Sequence, residues 1–337
     1  MENSIKLMLF LSFCFVSNQA LLANASVPAL YVFGDSHLDP GNNMHLNTPA
    51  KPNRWPYAID FHNIRGRFTN GRNMADFIAS YLDLPFPPAY LNLSDSERSQ
   101  TTTGISYASA SCGILNTTGA GECLTLAKQV GCFTSTVKND LPLAIKDQEK
   151  LQDHLANSLY LVFIGNNDYH DAMSHNVSNK FSPDKYADIL LDEVTKHIKT
   201  LYDLGARKFV VSGISSCQPH NYTKDCKSRY FADKLPQRLQ ELRCTLSGSL
   251  FTVYDVVNVY KKITDNPQKY GFTNIQDPCY PEGGSLCKDR KKYLRFDQYS
   301  HQTEAAYEIA SKDCFYGQAC SPYSILELAK APIISHH

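Results

Sequence analysis

Neither sign of charge is in surplus: 33 Lys+Arg stand against 33 Asp+Glu, and only 20% of the 337 residues are charged. A chain with no net field lacks the basic footprint of a nucleic-acid clamp and the polybasic stretch of a membrane-surface binder. Internal repeats, low-complexity tracts, charge blocks and Ser/Gly/Pro-rich linkers are all missing. The one Pro-rich patch, Pro85-Phe86-Pro87-Pro88, is too short to separate domains. No C-x-x-C pair occurs and no His stands at a zinc-ligand offset beside a Cys, so the metal-site signatures are absent. Long apolar runs are absent beyond the first.

That first run, Leu7 to Val16, follows Lys6 and precedes Ala23-Asn24-Ala25. It is half the ~20 residues needed to cross a bilayer and is followed by a small-x-small site, which predicts a secretory signal peptide over 1–25 and no stable membrane anchor. The remainder, 26–337, with 43% hydrophobic residues overall, reads as a single domain able to bury a large core. Ile333 to His337 carries no retention signal, so the expected destination is extracellular. Eleven cysteines become an even ten once Cys14 leaves with the leader, a number suited to disulfides in an oxidising compartment. Local candidates are Cys112 with Cys123, Cys217 with Cys226, Cys279 with Cys287 and Cys314 with Cys320, leaving Cys132 and Cys244. Asn92, Asn116, Asn176 and Asn221 each begin an N-x-[ST] triplet, a glycosylation acceptor in a secreted chain.

Short apolar runs at 29–33, 159–164, 208–212 and 250–254 have the look of buried parallel strands. Between them, Met74, Phe77, Ile78, Tyr81 and Leu82 share one helical face, and Tyr186, Ile189, Leu190, Val194, His197, Ile198 and Leu201 share another, with Gly205 as a stop. His197 lies in that apolar stripe and reads as structural. Strand and helix in alternation predict a mainly parallel sheet with helices on both faces, a three-layer α/β/α sandwich.

In such a sheet ligands bind beyond the carboxyl ends of the strands. Ser36 follows the first strand in Gly34-Asp35-Ser36 and reads either as a helix cap or as a nucleophile. Asn167 follows the second in Gly165-Asn166-Asn167-Asp168, as a turn residue or as a donor to an oxyanion. Asp297 and His301 stand together near the C-terminus, as an exposed loop or as a general base with the acid that orients it. Arg65, Arg67 and Arg72 are expected to form local ion pairs with Asp60 and Asp76, and His170 is a candidate for the pocket wall.

Taken in order, these blocks resemble the GDSL esterase/lipase family of the SGNH hydrolases, in its plant form. The resemblance rests on Phe33-Gly34-Asp35-Ser36 with Asp39 and Gly41-Asn42-Asn43, on 66–72, on Tyr107-Ala108-Ser109 with Gly113-Ile114, on Gly165 to Tyr169, on Pro267 with Tyr270-Gly271-Phe272, and on His301 with Thr303-Glu304-Ala305-Ala306. It implies a flavodoxin-like SGNH hydrolase fold and a serine esterase or lipase acting on a small-molecule ester, with a role in lipid breakdown and no metal or organic cofactor. Ser36 would be the nucleophile, His301 the general base and Asp297 its orienting acid. The Ser36 N–H and Asn167 would line the oxyanion hole. The absence of G-x-S-x-G separates the chain from ordinary α/β-hydrolase lipases.

Three departures stand out. His37 replaces the usual Leu after the serine and is expected to face solvent. Ala110-Ser111 replaces a glycine pair, with Ser111 as the expected stand-in for an oxyanion donor. Asp297 precedes His301 by four residues instead of three, so that Gln298 falls in the acid's register unless a one-residue bulge returns Asp297 to the imidazole. Two other readings follow: an acyltransferase of the same fold using an alcohol or sugar acceptor, and a catalytically impaired extracellular binding protein.

Overall fold

The computed structural model describes residues 27–62, 64–119, 121–174, 181–214 and 226–333. The expected leader over 1–25, Cys217, Asn176 and Asn221 lie outside them. The four apolar runs form β1 (Leu30–Gly34), β2 (Leu159–Phe163), β3 (Lys208–Ser212) and β4 (Leu250–Tyr254). β1, β2 and β3 are buried at every position, which is why their sequences are continuous rather than alternating. The four strands pair in parallel in chain order, with Leu30 beside Leu159, Leu159 beside Lys208 and Lys208 beside Leu250.

A short antiparallel strand at Cys320–Ser321 closes the β4 edge. The outer edge of β1 is covered by the segment 103–109. Leu30 and Val32 donate to Thr103 and Ile105, and Tyr107 and Ser109 donate back to Val32 and Gly34. The chain thus leaves β1 on one side and returns to the other at β2. This makes the carboxyl end of β1 the switch point of the sheet, where a crevice opens.

Side chains along β1 divide the two layers. Leu30 and Val32 pack with the helices Met74–Tyr81, Val256–Asp265 and Glu304–Tyr316. Tyr31 and Phe33 pack with Leu126–Ser135, Pro183–Asp203 and Arg229–Thr245. The period of two in a strand sends neighbours to opposite faces, so one apolar run serves two helical layers.

Helix ends follow from local chemistry. Asn73 and Asp76 form a reciprocal capping box on Met74–Tyr81. Ser182 caps Pro183–Asp203, which ends as expected at Gly205: φ is 111° there, and Ala206 N–H closes onto Leu201 O. His197 is buried in that helix's apolar stripe, 3.1 Å from Glu193.

Cys112–Cys123, Cys279–Cys287 and Cys314–Cys320 are bonded. Cys226 is also disulfide-bonded, while Cys132 and Cys244 are free thiols. Asn92 and Asn116 are exposed. The arginine cluster pairs differently from expectation. Arg67 meets Asp76 in a buried pair, but Arg72 pairs with Glu304 and Asp60 with Arg290, because the loop folds onto the C-terminal part of the chain rather than onto itself. No helix among the described residues is long and apolar enough to cross a membrane.

Candidate active site

The last residue of β1 is glycine for a steric reason: a Cβ at Gly34 would lie 2.8 Å from Phe163 O on β2. Gln129 brackets the same residue, accepting from its N–H and donating to its carbonyl, each at 2.9 Å. The chain then turns at once. Leu38 and Asp39 N–H groups both donate to Asp35 O, and this turn presents Ser36 over the crevice.

The other half of the site arrives from a small second sheet, β5 (Asn274–Tyr280) beside β6 (Tyr293–Asp297). Asp297 is the last residue of β6. The backbone then reverses, with Phe296 N–H donating to His301 O at 2.7 Å, before Thr303 caps the helix Glu304–Tyr316. Ser300 takes φ 67°, which absorbs the extra residue between acid and base. Asp297, not Gln298, therefore reaches the imidazole: Oδ2 lies 2.7 Å from His301 Nδ1, while Gln298 turns away to Glu282. On the far side of the ring, His301 Nε2 is 2.8 Å from Ser36 Oγ. The three side chains form one hydrogen-bonded line across 265 residues of sequence.

Asp297 is fully buried, and its oxygens are well supplied with donors. Oδ1 accepts from the Tyr299 and His301 N–H groups at 3.0 and 3.2 Å, and Oδ2 accepts from the Tyr57 hydroxyl at 2.9 Å. Burial works to raise its pKa, but the charge and hydrogen bonds of His301, joined by Tyr57, outweigh it and hold the carboxyl below its ordinary value. Sequence reasoning missed Tyr57. It is one tyrosine among twenty, in an irregular loop, and only its contact with Asp297 distinguishes it. Tyr57→Phe is expected to lower kcat about tenfold with KM little changed, because a hydrogen bond to a charged group contributes about 1.5–3 kcal/mol and three other donors remain on the carboxylate. Steady-state kinetics of the variant check this.

The expectation that His37 faces solvent is corrected. Its N–H donates to Asp35 Oδ1, and this turn brings the ring inward, where Nδ1 meets the buried Tyr307 hydroxyl at 2.8 Å. The ring centroid lies 5.4 Å from that of His301.

Ser111 adopts φ 67°, a glycine-like conformation. The residue before it is pinned: Ala110 N–H donates to Asp39 Oδ2 and Asn43 Oδ1, and Ala110 O accepts from Asn43 Nδ2. Asp39 gathers three further N–H groups, from Gly41, Asn42 and Asn43. Burial pushes its pKa up to about 7 against the pull of those donors. Asn167 stands at the start of the helix Asn166–Ser174, its amide held at 2.9 Å from Cys112 O. Next to it, Asp168 fastens the backbone of Ile114 and Leu115.

Ser36, Ser111, Asn167, His170 and His301 all line one cavity of about 1120 Å³. Its lining includes the apolar side chains of Val256, Val257, Ile275 and Leu294 with the rings of Tyr254 and Tyr260, and the polar side chains of Lys51, Arg54, Tyr57 and Tyr299. Among the described residues no group of three or more His, Cys, Asp or Glu side chains is placed to hold a metal ion.

A serine, an imidazole and a buried carboxylate in hydrogen-bonded series at the switch point of a parallel sheet define the class of serine hydrolases. Comparison with known proteins gives the family. The sequence matches the GDSL-like Lipase/Acylhydrolase family over residues 30–313. It is 34% identical over 318 residues to GDSL esterase/lipase At5g55050 of Arabidopsis thaliana, covering 84% of each chain. It is 35% identical over 338 residues to GDSL esterase/lipase 7 of the same plant, covering 90% of this chain and 92% of that one. The chain belongs to the GDSL-like lipase/acylhydrolase family and is a carboxylic-ester hydrolase.

Proposed function

We propose that the hydrolysis proceeds through an acyl-enzyme on Ser36. His301 Nε2 takes the hydroxyl proton as Ser36 Oγ attacks the ester carbonyl. Asp297 keeps the Nδ1 proton in place and stabilises the imidazolium without accepting that proton. The oxyanion is held by the backbone N–H groups of Ser36 and Ser111 and by the Asn167 amide, whose other N–H is bonded to Cys112 O. His301 then protonates the leaving alcohol, and water, activated by the same imidazole, releases the acid. The observation that carries this reading is the unbroken line Asp297 Oδ2, His301 Nδ1, His301 Nε2 and Ser36 Oγ, with both bonds under 3 Å. Its test is labelling of Ser36 by a fluorophosphonate probe.

The apolar side chains of Val256, Val257, Ile275 and Leu294 in the cavity lining suit the acyl chain of a small or medium ester, and Lys51, Arg54 and Tyr299 suit its more polar end. The apolar run before residue 26, the disulfides and the exposed Asn92 and Asn116 support a secreted, glycosylated enzyme. On this reading it has a leader over 1–25 and one hydrolase domain over 26–337. Asn176 and Asn221 are proposed as further glycosylation sites.

In this scheme Ser111 contributes its backbone only. Ser111→Gly, which removes the cost of a side chain at φ 67°, is expected to keep kcat/KM for p-nitrophenyl acetate within a few-fold and to leave stability unchanged or raise it by up to about 1 kcal/mol. Denaturant unfolding and kinetics on the same sample check both parts.

A further inference from the structure

His37 is an imidazole one residue from the proposed nucleophile, in the wall of the cavity, and the mechanism leaves it without a task. Its tautomer follows from its neighbour. The Tyr307 phenol is buried, and among the described residues its hydroxyl proton has one acceptor, His37 Nδ1 at 2.8 Å. Burial keeps the phenol protonated, and it depresses the His37 pKa as well, so the ring is neutral. A neutral ring that accepts at Nδ1 carries its proton on Nε2. That Nε2–H makes no hydrogen bond to any described residue.

The side of the reaction it serves follows from His301. The general base must face the oxygen of the departing alcohol in order to return the proton to it. Three rings lie around His301: Phe68 at 5.0 Å, which is apolar, and two polar ones, of which His37 at 5.4 Å is nearer than Tyr299 at 6.4 Å. Resting on the acyl-enzyme reading above, we propose that His37 is a specificity-determining residue for the alcohol half of the substrate. Its Nε2–H donates to a second oxygen adjacent to the ester oxygen, which selects esters of vicinal diols and polyols over esters of simple alcohols.

Two esters with the same acyl group and alcohols of equal size test this, 2-hydroxyethyl butyrate and propyl butyrate, followed by titration of the released acid. Wild-type enzyme is expected to favour the hydroxyethyl ester in kcat/KM. That preference should fall roughly three- to tenfold in His37→Leu, the worth of one neutral hydrogen bond, and be largely kept in His37→Gln, which retains an N–H donor. His37→Met serves as the second apolar variant if His37→Leu does not fold. Equal preference in the wild type and the apolar variant overturns the role of His37 while leaving the esterase intact. Hydrolysis of neither ester by wild type overturns both.

Discussion

Ser36→Ala is expected to abolish turnover of p-nitrophenyl acetate, with kcat falling by about 10⁶, the loss seen when a serine protease loses its nucleophile. The reason lies in the single line of hydrogen bonds described above. His301 Nε2 has one hydroxyl at 2.8 Å to activate, and alanine leaves it none. The variant should fold as the wild type does, since the Ser36 side chain is partly exposed at the cavity and its only described hydrogen bond is to His301. Loss of fluorophosphonate labelling in the same variant ties the missing turnover to the missing hydroxyl. Turnover that survives the substitution would mean that the nucleophile lies elsewhere.

The second large effect is expected at Asp297. Asp297→Asn keeps the shape of the side chain but replaces one acceptor oxygen with an N–H₂ group. The amide then either donates to His301 Nδ1 and imposes the wrong tautomer, or offers a neutral acceptor to a forming imidazolium. The same change in a serine protease costs about 10⁴ in kcat. The loss should exceed that of Tyr57→Phe by about a thousandfold, because Tyr57 supplies one of four hydrogen bonds to the carboxylate whereas the amide removes its charge. If the two variants lose activity equally, Asp297 does not orient the base. Sign matters for its pH behaviour. Its folded pKa lies below 3.8, so the stability its ionised form contributes is present above that value and is lost as the pH falls through the folded pKa. A stability loss at higher pH would have to come from other groups.

Much of the architecture was legible in the chain. The runs at 208–212 and 250–254 became strands with those limits, and the helix predicted through Leu201 stopped before Gly205. Both signals are local: apolar continuity marks a strand buried on two faces, and a glycine permits the left-handed step that ends a helix. Three expected disulfides are likewise near neighbours in sequence, separated by 11, 8 and 6 residues. What misled was always a side chain whose partner lies far along the chain. His37 was expected in solvent because nothing nearby announced Tyr307, 270 residues on. Arg72 was assigned to its neighbours and found Glu304.

The sequence by itself determined the alternation of strands and helices in the main sheet, the stop at Gly205, and the identity of the residues at the strand ends, because all of these are set by periodicity and backbone preference over a few residues. Only the tertiary structure decided that Asp297 rather than Gln298 meets the imidazole, that Tyr57 completes its hydrogen bonds, and that His37 turns inward. Those outcomes depend on how a two-stranded sheet and a loop near residue 57 are carried onto the end of β1, a long-range placement set by crossovers and packing that no local pattern records.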